Sequence, residues 1–519
     1  MEHFLLALLA SCLAAVFLQR KSIGRHAAAF FFADTVAAVF GATLFGFFEL
    51  LFRRPYAALF FTLLLLALLS VLNIAKRKAL RDESLVFSDV ALAGQLLRFP
   101  ALYLPFLPCK ALFFAFLAFL PACLAIFWLG PVYEAKGLSL CLLSPLIILY
   151  AASHSFLAET LRAFLRRQNL TFSAEDARRF GPLGACLLHL GWHLLLRGRE
   201  GRGISGPCDQ PYARPLCAPQ MARMAKLKPG QLPDCFLIQE ESFCDPRRFL
   251  PGLSPDLLAN YDRLCAQGAA FDLAVHAYGA YTMRTEYEVL TSIAPEDLGS
   301  CVFHPYWTVA SQPSWSCVRF FKSLGYRTVC VHPFARDFFY RRQAIPNLGF
   351  DEFIALDNFP NPRTFGPYVS DRSVAECLLA LQRATFQPLF CFAITMENHG
   401  PWGEGRLDPA LLSGILPKAD GDIARYLVHI RNADAMFGFL AAELEKSGKH
   451  ALLGVYGDHL PGLPTLIPDG AQDTPSFLWS TKGFAVSEKK ARLTPSQWMA
   501  CYLKAVCACA EKQAVPTHK

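Results

Sequence analysis

Polar side chains able to bind a metal or a phosphate follow four short apolar segments in the second half of the chain. The segments are predicted strands at 235–239, 326–331, 389–395 and 451–456. The polar residues at or after their ends are Glu240, Glu241 and Ser242; His332; Glu397, Asn398 and His399; and Asp458 and His459. Any single one is best explained as a helix cap or a loop residue. Since the active site of an open parallel α/β sheet lies outside the carboxyl ends of its strands, four sets together are expected to converge.

The side chains in these sets suit a divalent cation. A carboxylate from one strand end and an Asp-His pair from another supply oxygen and imidazole ligands, which Mn²⁺, Zn²⁺ and Mg²⁺ accept. The sequence therefore predicts a metal site at this edge of the sheet.

Thr282 is the candidate nucleophile. It lies in the segment 278–293, a glycine-containing turn followed by a helical pattern, at the predicted start of the helix. A threonine at this position can be an N-cap, and the backbone N–H groups and helix dipole there also favour a phosphate. A nearby divalent cation can lower the pKa of the hydroxyl enough to give an alkoxide. The cap and nucleophile interpretations are compatible.

The elements that must position these residues indicate an α/β domain at 232–511. Short apolar runs alternate there with helical patterns, which is typical of a mostly parallel sheet covered by helices. A segment of this length can bury a full core as one domain.

The first part of the chain has the composition of a membrane protein. Hydrophobic residues make up 54% of the sequence, which is too many for an ordinary soluble protein, and the long apolar runs precede residue 160. About five helices are predicted to span the membrane within 1–160, with an amphipathic segment at 83–107 lying at its interface. The predicted spans are 4–18, 27–52, 56–75, 111–130 and 138–158. The first is interpreted as an anchor and not a removed signal peptide, since no small-residue cleavage signature follows it.

The segment 161–231 is rich in Arg, Gly and Pro and is predicted to be a connector. One part of it, 182–196, is apolar enough to touch the membrane or to cross it. The chain carries a formal charge of +8, but its basic residues concentrate beside the apolar runs. This is charge that flanks a membrane and argues against a nucleic-acid partner.

Over about 232–465 the chain resembles the lipoteichoic acid synthase and phosphoglycerol transferase branch of the alkaline phosphatase and sulfatase superfamily. The matching motifs occur in family order: QEESF, then Gly279, Thr282 and Glu286, then VHPF, LGFD, MENHGPW and YGDHLPG. The resemblance implies four metal ligands, namely Glu241 (with Glu240 as the less favoured neighbour), Thr282, Asp458 and His459. It also implies a phosphate-facing Arg341 and the substrate-binding residues His332 and His399.

The reaction implied by the resemblance begins with attack of Thr282 on a phospholipid such as phosphatidylglycerol. One divalent cation, Mn²⁺ foremost and Mg²⁺ or Zn²⁺ as alternatives, activates the hydroxyl, and a glycan or glycerophosphate polymer accepts the group. The rivals are a phosphoethanolamine transferase, a hydrolase that passes the group to water, and a non-catalytic membrane scaffold. A formylglycine sulfatase is disfavoured, because the nearest candidate for its C/S-x-P-x-R motif begins at Cys217 and has Met221 in place of the arginine.

The two signals for membrane topology conflict. The family arrangement of five spans with an inside N-terminus leaves the basic loops at 20–25 and 76–81 outside, against the positive-inside tendency. An outside N-terminus fits the charges, but then needs 182–196 as a sixth crossing to export the enzyme. In both arrangements we expect a multi-pass protein of the bacterial plasma membrane with an extra-cytoplasmic catalytic domain.

Overall fold

The structure, a computed structural model, divides into two compact units, Met1–Arg199 and Glu200–Lys519. It describes residues 2–20, 27–81, 83–100, 132, 136–143, 145, 158–196, 215–227, 229–311, 313–412, 421–484 and 491–514.

Helices make up most of the described part of the first unit. They are α1 (Glu2–Arg20), α2 (Ala27–Phe52), α3 (Pro55–Ala79), α4 (Val90–Arg98), α5 (Lys136–Leu142), α6 (Ala158–Arg167) and α7 (Ala174–Leu196). Within α2 and α3, the segments Ala33–Phe52 and Pro55–Lys78 are long and apolar enough to cross a membrane, and Glu2–Leu18 in α1 is a shorter apolar helix. These helices are consistent with an N-terminal membrane anchor.

The first three helices approach one another through small residues. In α2, a Cβ added at Gly41 would lie 2.7 Å from the Ser11 carbonyl oxygen of α1. Ala7 and Ala58 are likewise buried where the three helices meet. Small residues at such contacts let helix backbones approach closely, as is common in membrane helices.

Helices occupy three of the predicted spans, 4–18, 27–52 and 56–75. The predicted span at 111–130 lies outside the described residues, and so does most of 138–158. Helix α4 lies within the predicted interfacial segment 83–107, of which 101–107 is outside the described part.

Part of the predicted connector is helical. Helix α7 breaks at Gly181, whose φ of 73° and ψ of 157° are non-helical, and Pro182 follows. Within this region Asp176 and His189 are both buried and lie 2.8 Å apart, and Arg162 of α6 donates to the Leu195 carbonyl oxygen at 2.9 Å. Helices α6 and α7 therefore pack together.

The second unit contains an eight-stranded sheet. Its strands are β1 (Asp234–Glu240), β2 (Ala269–Ala274), β3 (Arg327–His332), β4 (Glu352–Ala355), β7 (Leu389–Ile394), β8 (Ala451–Gly457), β9 (Asp473–Ser480) and β10 (Arg492–Leu493), while β5 (Thr364–Phe365) and β6 (Tyr368–Val369) form a separate pair. The order across the sheet is β10-β2-β9-β8-β1-β7-β3-β4. Only β9 runs antiparallel to its neighbours in this sheet, so the carboxyl ends of the others share one edge.

Helices cover both faces of the sheet. They are α8 (Ala218–Met224), α9 (Ala259–Gln267), α10 (Thr282–Thr291), α11 (Pro305–Val309), α12 (Cys317–Ser323), α13 (Arg341–Leu348), α14 (Asp371–Arg383), α15 (Gly421–Lys446) and α16 (Pro495–Ala514). The main core packs α14 and α15 against one face, where Phe236 and Leu453 point. Trp498 and Tyr502 of α16 lie on the other face, against Gly454.

Burial on both faces explains why the central strands are almost continuously apolar, as expected for parallel strands. The predicted fold class is confirmed: apolar N-terminal helices are followed by an α/β domain with a mostly parallel sheet.

Candidate active site

The neighbouring strands β1 and β8 bring the metal-capable residues together. They run parallel with Glu240 opposite Gly457, so that Glu241 and Asp458 leave the sheet side by side. Gly457 permits this, because a Cβ there would lie 2.2 Å from the Phe243 carbonyl oxygen. The glycine is therefore needed for the close approach of the two strand ends.

Glu241, Asp458 and His459 form a buried group whose potential ligand atoms all lie within 4.8 Å of one another. The Nε2 atom of His459 is 3.7 Å from a Glu241 oxygen and 3.3 Å from Asp458 Oδ2. Glu240, the last residue of β1, is not in this group. Of the two neighbouring glutamates, Glu241 is the one whose carboxylate lies within this group.

Hydrogen bonds leave one electron-pair donor of Asp458 and one of His459 available. Asp458 Oδ1 accepts from the backbone N–H groups of Ser242 and His459, both at 2.8 Å, whereas its Oδ2 has no hydrogen-bond donor within the part of the chain that the structure describes. His459 Nδ1 lies 3.1 Å from the Leu460 carbonyl oxygen. Since only a protonated Nδ1 can donate to that oxygen, a neutral His459 carries its lone pair on Nε2. These residues fit a divalent cation.

Without a cation the site holds its negative charges poorly. Burial, and after it the charge of Asp458, raises the pKa of Glu241 to about 8. Burial also raises the pKa of Asp458, against the opposing effects of His459 and of the Thr282 side chain. Closely spaced buried carboxyl groups such as these favour either protons or a metal.

Thr282 is the first residue of α10 and lies close enough to Asp458 to lower the pKa of that carboxyl group. The helix cap is Tyr281, in a left-handed conformation, and no side chain caps the helix. The interpretation of Thr282 as an N-cap is therefore wrong by one residue, because the left-handed Tyr281 is the cap and the helix begins at Thr282 itself. Thr285 in the next turn donates to the Asp458 carbonyl oxygen at 2.7 Å, which ties α10 to the end of β8.

Four non-glycine residues beside the predicted site residues adopt a left-handed backbone. Their φ angles are 52° at Ser242, 62° at Tyr281, 51° at Phe339 and 62° at Tyr340. They adjoin Glu241, Thr282 and Arg341. Residues with side chains adopt this conformation at a cost of about 1–3 kcal/mol each and often do so at functional sites. The surrounding packing must offset that cost.

Arg341 begins α13 and is almost fully buried. Its Nε donates to Glu286 Oε2 at 3.3 Å, and its Nη2 donates to Glu286 Oε1. Burial works against the charge of Arg341, yet Glu286 raises the pKa of Arg341 above its ordinary value. The arginine thus stays charged inside the protein.

Two histidines near this arginine are neutral hydrogen-bonding groups. Burial, followed by the charge of Arg341, lowers the pKa of His332 well below its ordinary value, and burial also lowers the pKa of His399. Each has Nδ1 close to a backbone carbonyl oxygen, at 3.2 Å from Ile394 for His332 and 2.8 Å from Gly400 for His399. With Nδ1 donating, both carry a lone pair on Nε2.

All seven predicted site residues lie at the same edge of the sheet. Glu241, Thr282, Asp458 and His459 are adjacent, and the charge of Arg341 acts on the pKa values of Glu241, His332 and His399. Their roles remain predictions.

Two residues hold the backbone of Glu241 in place, a role not predicted from the sequence. The Glu241 N–H donates to Thr395 Oγ1 at 2.9 Å, and the Asn398 side chain donates to the Glu241 carbonyl oxygen at 3.3 Å. Both follow β7, the other neighbour of β1. Their position at a strand end is the signal in the sequence: Thr395 is the last residue of the predicted strand 389–395, and Asn398 belongs to the polar set that follows it.

Cys217, the start of the degenerate sulfatase-like motif, lies elsewhere. Its sulfur is 3.5 Å from that of Cys317 and 3.6 Å from that of Met221. These contacts are structural and do not join it to the metal-capable group.

Comparison with known proteins identifies the second unit. The sulfatase family model matches residues 233–506, which is more than half of the chain. A capsular polysaccharide biosynthesis protein, RkpI of Rhizobium meliloti, is 34% identical over 242 residues, which are 45% of this chain and 43% of the relative. The chain therefore spans less than half the length of that curated relative.

Two solved structures are also similar. The Streptococcus pyogenes phosphoglycerol transferase GacH, in complex with sn-glycerol-1-phosphate, is 23% identical with a TM-score of 0.47, over 56% of this chain and 80% of that one. The Neisseria meningitidis lipooligosaccharide phosphoethanolamine transferase EptA, an integral membrane protein, is 13% identical with a TM-score of 0.48, over 98% of this chain and 95% of that one.

Proposed function

The chain belongs to the sulfatase family, and from that premise we propose that it is a membrane-bound phosphoglycerol transferase. It moves a glycerophosphate group from a phospholipid to a glycan or glycerophosphate polymer through a covalent intermediate on Thr282. The observation that carries the proposal is the position of the Thr282 hydroxyl, at a helix start beside the buried Glu241, Asp458 and His459.

In the first step the Thr282 hydroxyl loses its proton and Oγ forms a bond to phosphorus. The bond from phosphorus to the diacylglycerol oxygen breaks, and diacylglycerol leaves with a proton. The glycerophosphate group is then attached to Thr282. The start of α10 favours this attachment, since the N–H groups and dipole at a helix N-terminus attract phosphate oxygens.

In the second step an acceptor hydroxyl gives up its proton and bonds to phosphorus while the bond to Thr282 Oγ breaks, restoring the threonine. Arg341 stabilises the equatorial phosphate oxygens. His332 Nε2 is buried and has no partner in the described ranges, so it suits a hydroxyl of the head group. His399 is neutral, and its Nε2 can orient the head group or take part in proton transfer.

A divalent cation held by Glu241, Asp458, His459 and the Thr282 oxygen would lower the pKa of the hydroxyl and neutralise phosphate charge. We propose Mn²⁺, with Mg²⁺ and Zn²⁺ as alternatives, because the donors are oxygen and imidazole nitrogen.

The features of the first unit are consistent with a lipid donor. Apolar helices capable of crossing a membrane precede the catalytic unit, and a lipid donor is available to an enzyme anchored in that way. A relative is named for capsular polysaccharide biosynthesis, which supports a glycan acceptor. We propose a multi-pass protein of the bacterial plasma membrane with its catalytic domain outside the cytoplasm.

The test is lipid-product analysis of the purified full chain in vesicles of defined composition with Mn²⁺. We expect diacylglycerol to be released from phosphatidylglycerol, with the head group recovered on an added glycan, and no release by Thr282→Ala. Preference for phosphatidylethanolamine would establish the phosphoethanolamine rival, and recovery of free glycerophosphate alone would indicate a hydrolase. Release at a wild-type rate by a folded Thr282→Ala protein would exclude the covalent mechanism.

A further inference from the structure

Glu286 lies on the same helix as the candidate nucleophile, four residues after Thr282. Residues at this spacing project from the same side of a helix. Glu286 is fully buried, and its two carboxylate oxygens accept hydrogen bonds from Nε and Nη2 of Arg341, 55 positions further along the chain. Helix α10 therefore carries both the predicted nucleophile and the partner of the predicted phosphate-binding arginine.

This pairing leaves one side of the guanidinium available. Arg341 Nη1 is buried and has no hydrogen-bond partner among the residues that the structure describes. The guanidinium carbon lies 5.4 Å from the centre of the Phe339 ring and 5.9 Å from the centres of the Phe338 and Tyr306 rings. A two-point contact with a carboxylate fixes the plane of an arginine, and the rings restrict its movement further.

The charges around Arg341 also support a role for this arginine in binding an anion. A buried arginine without a counter-ion would be costly, and Glu286 supplies that counter-ion. Arg341 is also close enough to Glu241 and His399 to affect their pKa values. The charged guanidinium of Arg341 is therefore held next to the metal-capable group, where an anion would be bound. Its Nη1 has no hydrogen-bond partner among the described residues.

We propose that Glu286 is a positioning residue, which holds Arg341 so that Nη1 can donate to a phosphate oxygen of the group bound at Thr282. This inference rests on the proposed function for the identity of the phosphate ligand. Glu286 itself does not touch the substrate.

The experiment compares Glu286→Gln with a matched control on the same helix. Glu288 is also buried, but it accepts hydrogen bonds from the Ser496 N–H at 3.2 Å and the Ser496 hydroxyl at 3.0 Å, so Glu288→Gln tests the loss of a buried carboxylate without touching Arg341. The measurements are Mn²⁺ content, binding of inorganic phosphate to the Mn²⁺-loaded full chain by calorimetry, and kcat and KM for lipid cleavage.

We expect Glu286→Gln to keep its Mn²⁺ while phosphate affinity and kcat fall about 10- to 100-fold, as for other residues that orient a ligand-binding group. Glu288→Gln should stay within about twofold of wild type, and Glu286→Asp, which keeps the charge, should recover part of the loss. In an Arg341→Ala background, Glu286→Gln should cause no further loss, because the residue acts through the arginine.

Unchanged phosphate affinity in Glu286→Gln, or a loss that adds fully to that of Arg341→Ala, would overturn the proposal. So would a wild-type protein that binds no phosphate. If Glu286→Gln does not fold, Glu286→Asp decides by the same phosphate measurement. Its shorter side chain should still lower phosphate affinity in a protein that keeps Arg341, and an affinity equal to wild type would count against the proposal. Phosphate binding that depends on Glu286 in a protein that cleaves no lipid would leave this inference standing and refute only the proposed function.

Discussion

At the scale of single residues, the site is governed by two carboxylates that burial makes hard to ionise. Glu241 and Asp458 are both almost fully buried, and an isolated buried charge is expensive. A bound cation would reverse this effect, since it favours the charged form of each group. Metal affinity should therefore fall when either carboxylate loses its charge, whether by substitution or by protonation at lower pH.

Replacing Asp458 by Asn should abolish Mn²⁺ retention and activity while leaving the fold intact. Asn keeps an oxygen to accept the N–H groups of Ser242 and His459, so mainly the charge is lost. Asp434→Asn is the control, because Asp434 is also buried and accepts the backbone N–H of Tyr261 at 2.7 Å, in a different part of the unit. Metal content after dialysis against a weak chelator is the measurement. Equal Mn²⁺ content in both variants would refute the assignment of Asp458 as a ligand.

Mn²⁺ affinity should fall as the pH is lowered below about 8. The metal-free site keeps a proton on Glu241 below its pKa of about 8, and the cation must displace that proton to bind. One displaced proton corresponds to about a tenfold loss of affinity per pH unit. Calorimetry in two buffers of different ionisation enthalpy measures the protons released. The same affinity at pH 6 and pH 8, with no proton release, would show that Glu241 is not protonated in the metal-free site.

At the scale of elements, the strand ends determine the geometry. Strands β1 and β8 place Glu241 and Asp458 side by side, and the turn at Tyr281 starts α10 so that Thr282 meets them. Gly457 tolerates little change, since any side chain there would meet the backbone after β1.

Gly457→Ala should therefore weaken Mn²⁺ binding at least tenfold and lower the free energy of unfolding by about 1–3 kcal/mol. The matched control is Gly454→Ala in the same strand, where a Cβ would lie 2.7 Å from the Tyr502 ring on the far face. This control should lose stability without losing metal affinity. Urea unfolding and Mn²⁺ titration of both variants measure the two effects. Wild-type affinity in a Gly457→Ala protein would show that the strand ends tolerate separation.

The sequence predicts the position of a site residue more readily when its partners lie close to it along the chain. Asp458 and His459 are contiguous at the end of an apolar run, so their place at the strand edge could be predicted, as could that of Glu241. The contact of Arg341 with Glu286 joins two helices 55 positions apart, and no local pattern predicts such a pair. Thr282 does begin α10 as predicted, but the cap before it is Tyr281, because a left-handed conformation at a tyrosine has no propensity signal.

For the whole molecule, the two units differ in composition. The composition before residue 160 predicts membrane helices, and three helices at the predicted positions support an anchor. The side of the membrane on which the second unit lies is a separate question, because the basic loop charges and the proposed lipid donor point in opposite directions.

A reporter fused after Lys519 should show an extra-cytoplasmic C-terminus. We expect an alkaline phosphatase fusion to be active and a cytoplasm-dependent fluorescent fusion to be dark, since head groups and growing glycans are exposed outside the cell. Protease added to intact spheroplasts should cleave the catalytic unit. A fusion active only in the cytoplasm, or a unit resistant to protease in spheroplasts that remain sealed, would place the enzyme on the inner side.

Mass spectrometry of the intact reaction shows whether Thr282 carries the transferred group. The purified full chain is incubated with phosphatidylglycerol and Mn²⁺ in the absence of an acceptor, quenched in acid and digested. We predict a glycerophosphate adduct on the peptide that contains Thr282, absent from Thr282→Ala and lost when an acceptor is added. Diacylglycerol release with no adduct at any time, or an adduct on another residue that persists in Thr282→Ala, would contradict the account.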